Sequence, residues 1–593
     1  MTKKTKLELT WPGKDERPKL EPRILIEDPS KSYHAQVRRE GDIFDNMLIK
    51  GDNLLALKAL EQDYAGAVKC IYIDPPFNTG NAFEHYDDGV EHSIWLSLIR
   101  ERLVSLRYLL SEDGFICVHI DDAEGHYLKV VLDEVMGREN YLTTFYVQVR
   151  YPQKTLKQDM DFHKEIEMIH IYRKKWGAIP NLPKKVKTDE KFCYYIKEIG
   201  SGRNIKLGGK SVVIFGPDEY AITKGEPSGD GLKEIWATGT ILDGNSSGRF
   251  FRDYLTGRSE VDGLGVLYKV DGIGDDHLPY RYFTGPKREG ATKGKYYQGI
   301  PLEKGKSSSS SDTIPIENFY DLAGSFGNCR HEGGVEFRSG KKPERLLEIV
   351  LRHFSNPGDL VLDSFAGSGT TAAVAHKLNR KWITVEIGDH ADSHVRERLK
   401  NVVDGSDHTG ISQQYGWVGG GGFRYFTLAP SLLEQDKYGN WVIAKDYNPA
   451  MLAEAMCKHM GFTYAPADDP QEYWRHGHST ETDFIYVTTQ ALTHDACAKI
   501  AHDVGPDRSL LICCKAFDTK ADAFDNLTLV KIPTSILQKC EWGRDDYSLN
   551  IQNLPIAEDD ADSAEDEAPR KAKRSSKAKP DAMDLFGGEA GDE

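Results

Sequence analysis

Residues 68–77 read VKCIYIDPPF, and this stretch decides the fold. Its first part is a short apolar run typical of a buried β-strand. At the carboxyl end of that strand, the run continues into Asp74, Pro75, Pro76 and Phe77. A carboxylate, two conformationally fixed prolines and an aromatic ring form a rigid polar corner with a flat wall. Such a corner is suited to holding a planar amino group still.

The run is embedded in alternating strands and helices. Apolar residues within 93–110 recur at helical spacing, while 115–120 is again a short apolar run. This alternation predicts a parallel sheet covered by helices on both faces. The predicted elements are strands 47–50, 68–73, 115–120, 359–363 and 382–386, and helices 54–62 (capped by Asn53), 93–110, 127–136, 343–351 and 372–378.

A second motif lies far along the chain, at 363–371, which reads DSFAGSGTT. It follows a predicted strand and opens a helix, so its glycines let the backbone turn sharply and approach a ligand closely. Glu386 ends the next predicted strand, where a carboxylate can hold ribose hydroxyls. The motif therefore predicts a site for an adenosine-containing cofactor. It also satisfies the loose GxGxxA pattern of nicotinamide enzymes, and a plain strand-to-helix turn would look the same.

The chemistry of 74–77 narrows the choice. An exocyclic amine of adenine or cytosine is a poor nucleophile because its lone pair is delocalised into the ring. Asp74 can accept one amine hydrogen and the carbonyl of Pro75 another, while Phe77 stacks on the base. As single residues, Asp74 is more simply a helix cap and Phe77 a core aromatic. Together with the glycine motif they predict group transfer to a nucleobase amine, whereas a nicotinamide enzyme would leave them without a purpose.

Bulk composition limits the possible classes of protein. With 593 residues, 39% hydrophobic and 28% charged, the chain predicts two to four soluble domains. The sequence has no run of 18 apolar residues and no apolar core after its amino-terminal charges, so neither a membrane span nor a secretory signal is expected. Nine cysteines are scattered without a CxxC pair, which argues against a zinc site and for a cytoplasmic location. No metal is expected.

Both motifs resemble those of S-adenosylmethionine-dependent DNA amino-methyltransferases. Residues 74–80, DPPFNTG, resemble the catalytic motif, and 365–371, FAGSGTT, resemble the cofactor motif. The catalytic motif comes first, an order similar to the beta class. Phe77 stands where tyrosine is common in that family. A phenylalanine can still stack on a base but cannot make a hydroxyl contact. Segments that further resemble the modification (Mod) subunit of type III restriction–modification systems are 48–57, 71–80, 120–122, 248–255 and 540–549.

The resemblance implies a doubly wound α/β fold. Its centre would be a mostly parallel, seven-stranded, Rossmann-like methyltransferase sheet in permuted motif order, with an inserted target-recognition domain and an α+β carboxyl-terminal region. The implied divisions are an amino-terminal arm (1–45), a catalytic half (46–140), a target-recognition domain (141–330), a cofactor-binding half (331–405), a dimerisation or partner region (406–555) and a disordered tail (556–593).

The resemblance also implies site residues. The cofactor would be S-adenosyl-L-methionine, and the product would be N6-methyladenine in duplex DNA, although the motifs alone do not separate adenine N6 from cytosine N4. Asp74 would touch both the target amine and the cofactor. Glu386 would bind the ribose, Asp52 would lie near the cofactor adenine, and Lys342 would close the pocket. The other residues implied to bind the cofactor are Asp363, Phe365, Gly367, Gly369 and Thr370.

The implied target-recognition domain would face double-stranded DNA. A base inside a duplex must be rotated out before it can enter a pocket. The net charge is −16, yet lysines and arginines cluster locally, and a patchy surface can still bind phosphates. The candidate DNA contacts are Lys154, Lys157, Arg173, Lys174, Arg249 and Arg252, although each alone is more simply a solvated surface residue.

Three functional interpretations stay open from the sequence. The chain is the modification subunit of a phage-defence system with a separate restriction (helicase–nuclease) subunit, a solitary DNA methyltransferase, or a sequence-reading platform that places a nuclease. The family implies a homodimer, and the absence of a GxxxxGK[ST] motif argues against ATP hydrolysis by this chain. Leu585 and Phe586 in the tail resemble peptides that dock on a bacterial sliding clamp, although random tail composition explains them as well.

Overall fold

The structure is a computed structural model. It describes residues 8–76, 92–151, 163–183, 191–237, 246–274, 276, 278–300, 313–337, 340–520 and 522–548. Phe77, Lys154 and Lys157 lie outside the described residues, as does the tail with Leu585 and Phe586. Within the described ranges, no helix combines the length and the apolar character needed to cross a membrane.

The strands are β1 Leu25–Glu27, β2 Tyr33–His34, β3 Asn46–Lys50, β4 Val68–Ile73, β5 Leu110–Ile120, β6 Tyr141–Gln148, β7 Ile166–Arg173, β8 Tyr194–Glu198, β9 Arg203–Leu207, β10 Lys210–Phe215, β11 Tyr220–Lys224, β12 Lys233–Ala237, β13 Leu267–Asp271, β14 Tyr280–Thr284, β15 Gly294–Gln298, β16 Phe319–Asp321, β17 Leu360–Asp363, β18 Lys381–Glu386, β19 Gly422–Leu428, β20 Leu433–Gln435, β21 Trp441–Ile443, β22 Thr463–Tyr464, β23 Gly477–His478, β24 Asp483–Val487, β25 Ala491–Leu492, β26 Ser509–Cys514, β27 Ala516–Phe517 and β28 Leu527–Lys531. The helices are α1 Asn53–Tyr64, α2 His92–Leu109, α3 Gly125–Leu132, α4 Ser246–Phe250, α5 Ser259–Asp262, α6 Ala323–Asn328, α7 Glu344–Phe354, α8 Thr370–Lys377, α9 Arg396–Asp404, α10 Pro449–Met460 and α11 His494–Val504.

One large mixed sheet organises the candidate site. Its strands lie in the order β1, β19, β3, β18, β17, β4, β5, β7, β6 and β16, with β2 against β19. Neighbours from β19 to β5 are all parallel, and β7 runs antiparallel between β5 and β6. Helices α1, α2 and α3 pack on one face, and α7, α8 and α9 pack on the other. The predicted parallel sheet with helices on both faces is therefore present.

The central strands match their predicted positions. β4 runs Val68–Ile73, as its apolar composition predicts, and only Lys69 within it is not fully buried. β17 and β18 begin within one residue of the predicted strands 359–363 and 382–386. A strand buried on both faces reads as a continuous apolar run, which is why the sequence located these strands.

The sheet is wider than the predicted seven strands, since eleven are present among the described residues. β6 and β7 extend it past the predicted boundary at residue 140, and β19 extends it past residue 405. In addition, β1 of the predicted arm pairs with β19. β1, β2, β6, β7 and β19 contain residues that are only partly buried or are exposed, so their sequences lack the continuous apolar run that identifies β4.

Smaller sheets occupy the middle and the carboxyl-terminal parts of the chain. The middle part contains a six-stranded antiparallel sheet in the order β12, β15, β14, β13, β10 and β9, with the pair β8–β11 beside it. Aromatic side chains such as Phe251, Tyr268 and Phe283 fill its core. The carboxyl-terminal part contains a five-stranded sheet in the order β22, β23, β24, β26 and β28, whose cores include residues of α10 and α11.

Candidate active site at the carboxyl edge of the main sheet

The two sequence motifs end adjacent parallel strands. Leu362 of β17 pairs with Ile71 of β4, so the chain leaves both strands at the same edge of the sheet. Asp363 is the last residue of β17, and Asp74 follows β4 directly. In parallel α/β sheets, ligands bind outside the carboxyl ends of the strands. The structure thus brings the proline motif and the glycine motif together at the edge where a ligand is expected.

Asp74 presents one carboxylate oxygen to a cation and leaves the other available. Lys342 Nζ lies 3.1 Å from Asp74 Oδ2. Asp74 Oδ1 is buried and has no hydrogen-bond partner among the described residues. Burial raises the pKa of Asp74, and the charge of Lys342 opposes that rise. Because an unsatisfied buried acceptor costs free energy, Oδ1 marks a place where the N–H of a ligand would be stabilising.

The proline corner is held from α2. Trp95 is fully buried, and its Nε1 donates a hydrogen bond of 2.7 Å to the carbonyl oxygen of Pro76. Pro75 is buried as well. The backbone after β4 is therefore fixed both by the two proline rings and by the hydrogen bond from Trp95. The stacking role of Phe77 stays a prediction, since that residue lies outside the described ranges.

The carboxylate of Asp363 folds the loop that follows β17. Asp363 Oδ1 accepts from Phe365 N at 2.9 Å, and Oδ2 accepts from Thr371 Oγ1 at 2.5 Å. Gly369 has a φ of +73°, and a Cβ there would lie 2.8 Å from Cγ1 of Val395. Only glycine satisfies both conditions without strain, so the predicted glycine turn into α8 is present and required.

Glu386, at the end of β18, holds the same loop from the neighbouring strand. Its Oε2 accepts from Gly367 N at 2.8 Å, and its Oε1 accepts from Gly388 N at 3.0 Å. His390 Nε2 lies 3.2 Å from Oε1. The side chain is buried. Glu386 and Gly367 are therefore in direct contact, as a shared cofactor site requires, and the ribose contact itself stays a prediction.

Thr370 rests on a buried ionic cluster. Lys377 Nζ lies 2.7 Å from Glu344 Oε2 and 2.6 Å from Asp407 Oδ2, and Arg398 Nη2 lies 2.9 Å from Glu344 Oε1. These four side chains, here called the Lys377 cluster, are inaccessible to solvent or nearly so. Arg398 Nη1 also donates to Thr370 Oγ1 at 2.7 Å. The cluster thus supports the glycine loop from beneath.

Asp52, implied to lie near the cofactor adenine, uses its carboxylate within the protein. It caps α1 by accepting from Leu55 N at 3.0 Å, so the predicted cap Asn53 is wrong by one residue. Its Oδ2 accepts from Tyr547 N at 3.0 Å and lies 3.5 Å from Arg102 Nη2. Asp52 therefore anchors a carboxyl-terminal segment onto α1, and its contact with a cofactor stays a prediction.

The structure does not bring Arg173 and Lys174 to the catalytic candidates. Arg173 pairs with Phe115, near the beginning of β5, which is the amino edge of the parallel strands. Lys174 Nζ donates to the carbonyl oxygen of Arg107 at 2.6 Å, at the end of α2. A duplex with one base in the candidate pocket would lie at the opposite edge. The antiparallel direction of β7 causes this separation, and the sequence did not reveal it.

Sequence reasoning also missed three polar side chains behind Asp74. Glu167 Oε2 lies 3.4 Å from Lys342 Nζ and 2.7 Å from His119 Nε2. Tyr72 Oη lies 2.7 Å from His119 Nδ1. The available signal was a polar residue inside each of three apolar strands. In the part of the chain that is described, no group of three or more His, Cys, Asp or Glu side chains is arranged to hold a metal ion.

The sheet, the glycine loop and the proline corner together define the Rossmann-like methyltransferase class. Residues 68–395 match the family model N6_N4_Mtase, described as DNA methylase. This match covers more than half of the chain. The chain belongs to this DNA methylase family.

Similar proteins carry names from DNA modification. The chain is 32% identical over 445 residues to the "Probable type III restriction-modification enzyme HindVI Mod subunit" of Haemophilus influenzae, covering 68% of this chain and 56% of that protein. It is 27% identical over 436 residues to the type III restriction-modification enzyme EcoPI Mod subunit of Escherichia phage P1, covering 63% and 61%. The chain thus spans about three fifths of the length of these relatives. Among solved structures, the PvuII DNA methyltransferase (cytosine-N4-specific) is similar with a TM-score of 0.30 at 14% identity, covering 64% of this chain and 95% of that one.

Proposed function

We propose that the chain is a site-specific DNA methyltransferase that transfers a methyl group from S-adenosyl-L-methionine to N6 of an adenine rotated out of duplex DNA. One observation carries the proposal: the unpartnered Oδ1 of Asp74 lies at the same sheet edge as the glycine loop that begins at Asp363. The chain would serve as the modification subunit of a type III restriction–modification system, since two relatives bear the name Mod subunit. In that role it would form a homodimer and act with a restriction subunit.

The glycine loop fits this cofactor. The buried carboxylates of Asp363 and Glu386 flank the loop, and Gly367 within it is part-exposed. Negative charge beside that loop suits a ligand with hydroxyl donors and a positive charge. The residues that would hold the cofactor are Asp363, Phe365, Gly367, Gly369 and Glu386. When bound, S-adenosyl-L-methionine supplies an electrophilic methyl group on a sulfonium sulfur.

Asp74 and Pro75 would hold the target amine. One N–H donates to Asp74 Oδ1 and the other to the carbonyl oxygen of Pro75, which weakens the delocalisation of the lone pair into the ring. On accepting the methyl group that the cofactor would supply, the target nitrogen would gain positive charge. The hydrogen bond to Asp74 therefore strengthens in the transition state, which is the condition for catalysis. Loss of one N–H proton to water would then restore a neutral amine.

Target recognition is assigned to the six-stranded middle sheet, within the implied domain 141–330. The proposal is supported by β4 preceding β17 in the chain, an order similar to that of the beta class, in which this sheet would lie between the two halves. Trp236 is 59% exposed, and Lys295 Nζ lies 4.8 Å from the centre of its ring. An exposed indole beside an ammonium group can stack on a base and contact a phosphate. Arg249 and Arg252 are exposed in the same part of the chain.

Transfer of a labelled methyl group to DNA tests the proposed function. The purified chain, incubated with labelled S-adenosyl-L-methionine and genomic DNA, is expected to yield N6-methyladenine after digestion, and sequencing should place it within one recognition sequence. N4-methylcytosine in its place would contradict the adenine assignment. Cofactor and DNA binding without transfer would instead favour a sequence-reading platform.

The affinity for the cofactor is expected to depend on pH through Asp363. Burial raises the pKa of Asp363 to about 7, and hydrogen bonds from Thr371 and Phe365 oppose only part of that rise. The folded chain holds this proton more tightly than the unfolded chain, so the contribution of Asp363 to stability falls as pH rises between about 4 and about 7. A cationic ligand favours the ionised carboxylate, so affinity should be about tenfold weaker at pH 6 than at pH 8.

Calorimetric titrations at the two pH values measure this difference. The control is Asp363→Asn, which lacks the titrating carboxyl group. Any pH dependence that remains in this variant comes from other groups, including those of the ligand. The prediction fails if the wild-type chain and this variant show the same pH dependence.

A further inference from the structure

Four side chains from distant parts of the sequence form a continuous polar row behind Asp74. Lys342 Nζ lies 3.1 Å from Asp74 Oδ2 and 3.4 Å from Glu167 Oε2. His119 Nε2 lies 2.7 Å from the same oxygen of Glu167, and Tyr72 Oη lies 2.7 Å from His119 Nδ1. The side chains of Lys342 and Glu167 are 9% and 18% exposed, and His119 is fully buried. Charges so far removed from water interact strongly.

In this row, the ammonium group of Lys342 lies between the carboxylate of Glu167 and that of Asp74. Burial lowers the pKa of Lys342, but the charges of Asp74 and Glu167 outweigh this and raise it overall. For Glu167, burial raises the pKa, yet Lys342 and His119 outweigh this and lower it to about 2. Lys342 is therefore cationic and Glu167 anionic around neutral pH, and the ammonium group of Lys342 is held between Glu167 and Asp74.

We propose that Lys342 and Glu167 are positioning residues for methyl transfer: Glu167 fixes the ammonium group of Lys342, and Lys342 engages Asp74 Oδ2 so that an ionised Asp74 turns Oδ1 to the target amine. This inference rests on the proposed function. It adds a role for the ammonium group of Lys342, which lies between the two carboxylates, while the carbonyl oxygen of Lys342 accepts from Thr370 Oγ1 at 3.1 Å beside the glycine loop.

The charge on Asp74 explains the need for such an arrangement. A carboxylate in a buried site without a counter-charge takes up a proton, and the neutral carboxyl group is a weaker acceptor that no longer stabilises positive charge developing on an amine. The groups that face Asp74 among the described residues are Lys342 and Glu167, with His119, Tyr72 and Asp363 further back. Lys342 favours the ionised form of Asp74, whereas the charge of Glu167 disfavours it. Removing Lys342 should therefore raise the pKa of Asp74, and removing the charge of Glu167 should lower it.

Two substitutions test this opposition through the pH profile of single-turnover methyl transfer. Lys342→Met is expected to move the acid limb of the profile to higher pH by at least about one unit and to slow transfer at pH 7 by at least about tenfold. Glu167→Gln is expected to move the acid limb to lower pH. If these residues had a purely structural role, the two substitutions would lower the amount of active protein, and the acid limb would stay in place in both variants.

Two further variants serve as controls. Lys342→Arg keeps the charge and should leave the acid limb near its wild-type position. Lys69→Met, on β4 at its amino end, removes an ammonium group that pairs with Asp113 at the opposite edge, and it should change neither the rate nor the profile.

The affinity for S-adenosyl-L-homocysteine, measured by calorimetry, separates the outcomes. Near-wild-type affinity in Lys342→Met, together with a moved acid limb, supports positioning. Lost affinity with an unmoved limb would make Lys342 a cofactor ligand and overturn the inference. If the wild-type chain transfers methyl groups and the acid limb moves in neither Lys342→Met nor Glu167→Gln, the inference alone fails. If the wild-type chain transfers none, the proposed function fails and the inference with it.

Discussion

Replacing Asp74 with asparagine is expected to lower the rate of methyl transfer by about 10³-fold, with little change in affinity for the cofactor. The amide has a single oxygen, and Lys342 attracts that oxygen to the position of Oδ2, 3.1 Å from its ammonium group. The amide NH₂ group then faces the target amine, so two donors oppose each other. The interaction that strengthens as the amine gains positive charge is thereby lost.

Single-turnover kinetics with saturating DNA measures this effect. The matched control is Asp113→Asn, on the adjacent strand β5 at the amino edge of the sheet, where the side chain is 69% exposed. We expect wild-type rates from the control. An Asp74→Asn chain that transfers methyl groups within tenfold of the wild-type rate would rule out the proposed role of the carboxylate.

Replacing Lys377 with methionine is expected to destabilise the region around the glycine loop by about 3–5 kcal/mol. Lys377 is the cation shared by Glu344 and Asp407 in the Lys377 cluster, and its removal leaves buried negative charge with fewer partners. Burial raises the pKa of Asp407, but the charge of Lys377 and hydrogen bonds from Lys377 and Thr409 lower it overall, so loss of the lysine removes a main stabiliser of this buried carboxylate. Thr370 would lose its support, and cofactor affinity should fall as well.

Hydrogen exchange in α8 measures this change, because exchange reports the free energy of local opening even in a chain of several domains. Lys381→Met is the matched control four residues further along. Lys381 is 47% exposed and pairs with the 62% exposed Asp45, a surface ion pair worth about 0–1 kcal/mol. Equal exchange rates in α8 of both variants would contradict the assigned role of the Lys377 cluster.

The centre of the fold was predictable because burial leaves a local signature. β4, β17 and β18 are apolar throughout, and the glycine turn needs a backbone conformation that only Gly369 adopts without strain. The order of strands and helices then implies that Asp74 and Asp363 emerge at the same edge. The resemblance of the two motifs to a known family supplied the chemistry.

The remainder depends on contacts that no local pattern encodes. β6 and β7 contain part-buried and exposed positions, and their sequences mix polar and apolar residues. Because β7 runs antiparallel, it carries Glu167 to the catalytic edge and Arg173 to the opposite one. The cap of α1 falls on Asp52, whose carboxylate also accepts from the backbone N–H of Tyr547, a contact distant in sequence.

The position of β17 beside β4 has a consequence for how the chain is made. About 290 residues separate the end of β4 from the end of β17. At about 5–20 residues per second, a ribosome needs roughly 15–60 s to deliver the second strand after the first. During that interval the nascent chain carries an apolar strand with one unpaired edge, which is a template for wrong pairing. Shielding of that edge until its partner arrives is therefore expected to raise the yield of correctly folded chain.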